Sequence, residues 1–261
     1  MERDRPLPSV VERMWGREPV TRRGPRPRLD LATITSAAIE IADAEGLSGV
    51  SMASVASRVG VAATALYRYI GSKDDLLTVM ADGVAPPPPE PEGRSWRDYL
   101  ALWTRAQRDL LLEHAWLLSI DPLVPPLGPR RLLWFDRALA ALDGTGLDHG
   151  EKIHVASTLT GYALTDAALL NGVGGGPPQM EDAVIGGAAD YGEVLAELLD
   201  PAAYPALSAA MRSGVMRGAK GWVEDEDFVF GLDLLLDGIE ALIRRRAAEE
   251  RSSCDEEDVL E

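Results

Sequence analysis

Residues 50–77 read VSMASVASRVGVAATALYRYIGSKDDLL, and this stretch decides the fold. Met52, Val55, Ala56 and Val59 recur at i, i+3, i+4, i+7, one face of a helix. Ser51 stands where a side-chain oxygen caps the helix start, and Gly60 supplies the backbone freedom of a tight turn. A brief second helix carries Leu66 and Ile70 inward and leaves Thr64, Tyr67, Arg68 and Tyr69 facing elsewhere. Ser72-Lys73-Asp74-Asp75 then opens a further helix as a capping box, with Asp75 a shorter stand-in for Glu. Two short helices set at a sharp angle around a glycine turn make a helix-turn-helix, whose second helix fits the major groove of DNA. The same apolar faces also occur in ordinary helical bundles, so the pattern alone leaves a purely structural reading open.

Upstream, Asp30 is placed to cap a helix whose buried stripe is Ile34, Ala37, Ala38, Ile41 and Ala44, with Gly46 ending it. Taken together, Ile34, Ala37-Ala38, Ala42, Glu45-Gly46-Leu47, Val55-Ala56, Val59-Gly60-Val61, Leu66-Tyr67-Arg68-Tyr69 and Ser72-Lys73-Asp74-Asp75-Leu76-Leu77 carry a resemblance. Residues 29–84 resemble the DNA-binding domain of the tetracycline-repressor (TetR) family of bacterial regulators. The resemblance implies an all-α chain, with an N-terminal three-helix helix-turn-helix domain and a C-terminal helical ligand-binding and dimerisation domain. By motif position it places Ala63, Thr64, Ala65, Tyr67, Arg68 and Tyr69 against DNA on a recognition helix from about Ala62 to Tyr69. It puts Lys73 on a phosphate, and has Met52 begin the helix that crosses the DNA backbone. The chain departs from the family at Ala62 and Ala63, where polar residues are common. Alanine methyls can touch a thymine methyl but cannot hydrogen-bond a base edge. Specific readout therefore falls on Thr64 and Arg68, the latter able to take guanine O6 and N7. Tyr67 either grips a phosphate or packs as core, and Tyr69 has the same two readings.

Composition bounds the rest. The 261 residues suit two modest domains, and 46% hydrophobic residues can bury a sizeable core. Helical spacing dominates, with no alternating β pattern. Cys254 is the only cysteine, and with His114, His149 and His154 the only histidines, neither a disulfide nor a metal site is expected. The chain has no GxSxG, phosphate loop, HExxH or Cys/His pair, so neither an enzyme nor a cofactor is expected. It has no apolar run of about 18 residues, and MERDRPLPSVVERMWGRE lacks a signal peptide's apolar core. A cytoplasmic protein without a membrane partner is the expectation.

The net charge of −16 is unevenly spread. Residues 1–83 carry 11 Lys/Arg and 11 Asp/Glu, so the whole excess of acid lies in residues 84–261. Phosphate would repel that acidic part, and DNA must meet the N-terminal end. There, residues 21–28 (TRRGPRPR) hold Arg22, Arg23, Arg26 and Arg28 and no acid. Such an arm is either a solvated tail or, on DNA, an extended segment whose arginines enter a narrow minor groove.

The expected organisation is a flexible extension with the basic arm at 1–28, the helix-turn-helix domain at 29–84 and a proline-rich linker at 85–94. A helical ligand-binding and dimerisation domain at 95–248 and a disordered acidic tail at 249–261 complete it. Within the extension, Val10, Val11, Met14 and Trp15 form either a short docked helix or part of a disordered segment. In the body, Trp103, Gln107, His114, Trp134, His154, Thr158, Tyr162 and Thr165 mix aromatic and sparse polar groups, suiting a large apolar ligand. For each aromatic the alternative is core filling, and for His154 a satisfied core histidine. The family implies a homodimer through a four-helix bundle, for which Lys152–Leu170 and Phe228–Ile243 are the candidates. In the second, Phe228, Leu232, Leu235 and Ile239 repeat on one face. The reading is a repressor that binds a palindromic operator in double-stranded DNA as a homodimer and is released by a lipophilic small molecule. A helix-turn-helix regulator without an effector, or an activator, is the alternative.

Overall fold

A computed structural model describes residues 7–17, 29–120, 126–173, 195–213 and 224–258, and among them every regular element is helical. Contacts divide the chain into two compact units, Met1–Asp143 and Gly144–Glu261.

The first unit holds α1 (Ser9–Met14), α2 (Leu31–Gly49), α3 (Met52–Arg58), α4 (Ala63–Leu66), α5 (Lys73–Gly83), α6 (Trp96–Glu113), a 3-10 turn (Ala115–Ser119) and α7 (Pro129–Ala141). Side chains start several of these helices. Asp30 accepts from the Thr33 N–H at 2.8 Å, Ser72 from Asp75 at 3.0 Å and Ser95 from Asp98 at 3.1 Å. Gly46 adopts φ 71, a left-handed break in the last turns of α2. Ile34, Ala38, Val50, Val55, Leu66, Ile70, Leu76 and Met80 form a core closed to solvent between α2, α3, α4 and α5. The α2 stripe ends on Ala42 rather than Ala44, which is exposed. Position i+8 from Ile34 continues the helical period and i+10 leaves it.

Two segments of this unit lie against its helices. The extension is not flexible throughout, because α1 docks: Val10 and Val11 are buried with Val79 of α5, and Met14 and Leu31 pack alongside. The proline-rich stretch is extended and lies as a strap along the following helices. Trp134 Nε1 donates to the Pro86 carbonyl at 2.7 Å, and the Tyr99 hydroxyl to that of Pro89 at 3.1 Å. Burial pushes the Tyr99 phenol up.

The second unit holds α8 (His149–Val173), α9 (Pro205–Arg212) and α10 (Glu224–Asp258). α8 buries Lys152, Val155, Ala156, Leu159, Ala163 and Ala167, a seam whose alanines allow close approach. α10 answers with Phe228, Leu232, Leu236 and Ile239, so Leu236 takes the place expected for Leu235, which is half-buried. Arg246 of α10 closes the far end on Glu151 of α8 at 2.8 Å. The Arg246 bond, with the Asp148 N–H beside it, holds the Glu151 carboxyl below its usual range. α10 also runs through Asp258, past Ala248, where a disordered tail was expected. Ala247, Ala248 and Glu249 are strong helix formers, and Arg246 bridges Glu249 a turn further on.

Candidate DNA-binding site

The reader is built from its caps outward. Ser51 and Ser54 form a reciprocal box at the start of α3, Ser54 N–H donating to Ser51 Oγ at 3.0 Å and Ser51 N–H to Ser54 Oγ at 2.9 Å. Gly60 takes φ 72, a conformation that a side chain would strain, and the Val61 N–H returns to the Ala56 carbonyl at 3.0 Å. The chain then enters α4 from Ala62, which offers no capping side chain. The α-helix proper is correspondingly shorter than the Ala62–Tyr69 span expected. A turn closed by Tyr69 N–H to Leu66 O at 2.9 Å completes it. Leu66 and Ile70 anchor this segment in the core with no exposed surface. Thr64, Tyr67 and Arg68 project outward, Tyr67 with 53% of its surface exposed, which removes its core reading. Lys73 stands exposed at the start of α5.

The other residues expected at DNA divide. Met52, the first residue of α3, is buried, so its side chain belongs to the core. Ala63 and Ala65 are half-buried, Ala63 packing on the core. Tyr69 is half-buried and lies under the Arg13 guanidinium, 5.9 Å from its ring centre. Arg22, Arg23, Arg26 and Arg28 lie outside the described residues.

Several ties that no local pattern announces hold this reader. Arg13 Nη1 donates to the Arg68 carbonyl at 2.8 Å and to that of Tyr69. Asp43 of α2 accepts from both His114 Nδ1 and Trp116 Nε1 at 2.7 Å, binding the 3-10 turn and the end of α6 to the reader's first helix. Asp82, buried near the end of α5, accepts from the Arg131 N–H at 2.9 Å and caps α7. A Cβ on Gly128 would stand 2.2 Å from Asp82 Cγ, so this close approach needs glycine. Arg130 reaches back to the Gly83 carbonyl at 2.8 Å. Burial lowers the Arg131 pKa, with Asp82 opposing the shift.

The eight residues expected to meet a ligand are not brought together within one unit. Trp103, Gln107, His114 and Trp134 fall in the first unit, and His154, Thr158, Tyr162 and Thr165 in the second. Trp103 and Trp134 are core residues whose N–H donors go to the backbone, Trp103 Nε1 reaching Trp134 O at 2.9 Å. His114 is turned to Asp43. Tyr162 stacks on Phe228 at 5.3 Å between centroids and donates to the Phe228 carbonyl at 2.9 Å. His154, Thr158 and Thr165 share one exposed face of α8.

Comparison with known proteins agrees with this geometry. The family model described as "Bacterial regulatory proteins, tetR family" matches residues 34–80, and "Tetracyclin repressor-like, C-terminal domain" matches residues 87–243. The HTH-type transcriptional repressor DrrR1 of Streptomyces coeruleorubidus is 31% identical over 258 residues, covering 93% of this chain and 89% of that protein. Among solved structures, a possible TetR family regulator from Streptomyces coelicolor aligns with TM-score 0.61 and 30% identity over 82% of this chain and all (100%) of its own. The TetR family protein ActR from the same species, in complex with actinorhodin, aligns with TM-score 0.68 and 24% identity over 82% of this chain and 98% of its own. Among the described residues no helix is long and apolar enough to cross a membrane. A helix-turn-helix with its recognition residues turned outward, continued by a body matched along its length, has one reading: the chain belongs to the TetR family of bacterial transcriptional repressors, DNA-binding regulators and not enzymes.

Proposed function

We propose that the protein is a cytoplasmic, ligand-responsive repressor that binds a palindromic operator as a homodimer and is released by a lipophilic small molecule. The observation that carries the DNA half is the outward triad Thr64, Tyr67 and Arg68 on a segment whose inward residues, Leu66 and Ile70, are fully buried. Arg68 would take a guanine in the major groove and Thr64 a neighbouring base. Lys73 and Tyr67 would hold phosphates, and the arginine arm would enter the adjacent minor groove.

Dimerisation is supported by what the α8–α10 pair leaves uncovered. Phe230 is 68% exposed and Leu234 59%, one turn apart on the side of α10 turned away from its buried stripe. A second copy of the same face would bury them. A two-fold axis would then set the recognition helices about 34–36 Å apart, one turn of DNA.

Release is supported by the ties within the first unit. Asp43, Asp82 and Arg130 fasten α2 and α5 to the 3-10 turn and α7. A ligand that favours a different placement of α6 and α7 therefore shifts the reader with them. A neighbour of this fold, ActR, was solved in complex with actinorhodin, which supports a small-molecule effector. Gln107, half-buried on α6, is the effector contact to substitute first.

The test is a gel-shift titration against the DNA flanking the protein's own coding region, at two salt concentrations, with lipophilic aromatic compounds added. A shift with steep salt dependence, reversed by one compound, is the expected result. A shift that no compound reverses would overturn the effector half, and absence of any shift would overturn this choice of operator.

A further inference from the structure

We propose that Arg13, on the N-terminal helix α1, is a positioning residue for base readout: it clasps the backbone of Arg68 and so holds the reading side chain in register. The inference rests on the assignment of Arg68 to a base edge. The Arg68 and Tyr69 carbonyls lie in the turn that closes the recognition segment, beyond the last helical residue Leu66. A single guanidinium nitrogen, Arg13 Nη1, meets both, and the same group lies 5.9 Å above the Tyr69 ring. Arg13 is thus placed over the turn that closes the reader, its guanidinium shared by two main-chain carbonyls.

The clasp is anchored at its other side. Val10 and Val11 are buried against Val79 of α5, and Trp15 Nε1 donates to the Leu127 carbonyl at 2.8 Å, just ahead of α7. Helix α1 is therefore fixed to the end of the reader, to α5 and to the approach to α7 at once. An arginine held only by solvent would add nothing to the recognition segment. One held by a docked helix fixes the backbone from which Arg68 projects. The contribution is to discrimination, since a phosphate contact tolerates small displacements that a bidentate base contact does not.

The experiment compares wild type, Arg13→Ala and Arg13→Lys in the full chain, by two readouts. First, amide hydrogen exchange without DNA: Arg13→Ala is expected to speed exchange at Tyr69 and Ile70 while the core amides of Leu76 and Met80 stay protected, with Arg13→Lys intermediate. Second, operator titration at two salt concentrations against the cognate site and a site changed at the pair read by Arg68. The expected loss is about fivefold in the ratio of the two affinities, the size such positional couplings carry, with the salt slope unchanged. A uniform loss on both sites with a salt slope lower by about one would make Arg13 a phosphate contact and overturn the proposal. Unchanged exchange at Tyr69 and Ile70 would overturn it without reference to DNA. Altered exchange with no preference for any guanine in the wild type would instead overturn the base assignment of Arg68, so the two failures are distinguishable.

Discussion

Gly231 and Tyr162 offer a sharp test of how α8 and α10 are held together. Replacing a glycine by alanine in an unobstructed helix gains about 1 kcal/mol. Here the new methyl would stand 2.3 Å from the Tyr162 hydroxyl and 2.8 Å from its Cζ, so the ring has to leave. Its departure breaks the hydrogen bond to the Phe228 carbonyl at 2.9 Å, about 1 kcal/mol net. It also breaks the stacked contact with Phe228, roughly another 1 kcal/mol. After the propensity gain, Gly231→Ala is expected to destabilise the chain by about 1 kcal/mol. In a Tyr162→Ala background no ring needs displacing, and the same substitution should stabilise by about 1 kcal/mol. The reversal of sign amounts to a coupling of about 2 kcal/mol. Urea unfolding of the four DNA-free variants, at one protein concentration so that self-association weighs equally, measures it. Stabilisation by Gly231→Ala in both backgrounds would mean that Tyr162 is not seated on Gly231, and the reasoning would fail.

Other expectations concern DNA, assembly and acid. Arg68→Ala should cost about 1–3 kcal/mol of operator affinity and relax preference at one base pair; an equal loss on every sequence, read by competition binding, would reassign Arg68 to a phosphate. Phe230→Asp with Leu234→Asp should leave a folded helical monomer in sedimentation and weaken operator binding by about a hundredfold through lost bivalency; a persisting dimer would remove this face from the interface. Glu151 has a depressed pKa in the folded state, so its stabilising contribution is present above the ordinary glutamate range and lost as pH falls through the folded value. Glu151→Gln should therefore melt below wild type at neutral pH, and the gap should close on acidification; a gap independent of pH would contradict the Arg246 pairing.

What the sequence made legible was local. The caps at Asp30, Ser51 and Ser72 each act within three residues, and the spacing of Val55, Leu66 and Ile70 needs no knowledge of distant chain. The outward residues Thr64 and Arg68 follow from the same spacing. What stayed hidden depends on partners far along the chain. Arg13 meets a carbonyl 55 residues away, Trp15 one 112 residues away, and Trp116 a carboxylate 73 residues away. A backbone carbonyl has no residue type to betray it, so the main-chain acceptors of Trp103, Trp134 and Tyr162 were not legible in the sequence. The burial of Met52 was legible too, from its place at the head of the Val55, Ala56 and Val59 stripe.

The strap from Pro86 to Pro89 has a mechanical consequence. Proline residues contribute carbonyls but no N–H, so the segment can lie against α6 and α7 with only acceptors to satisfy, and Trp134 and Tyr99 fill one near each end. Prolines also keep the chain near its full extension. A cord already drawn taut cannot lengthen, so a pull arising at α6 or α7 arrives at the end of α5 undamped. A glycine-serine segment of the same length would act as an entropic spring and absorb it.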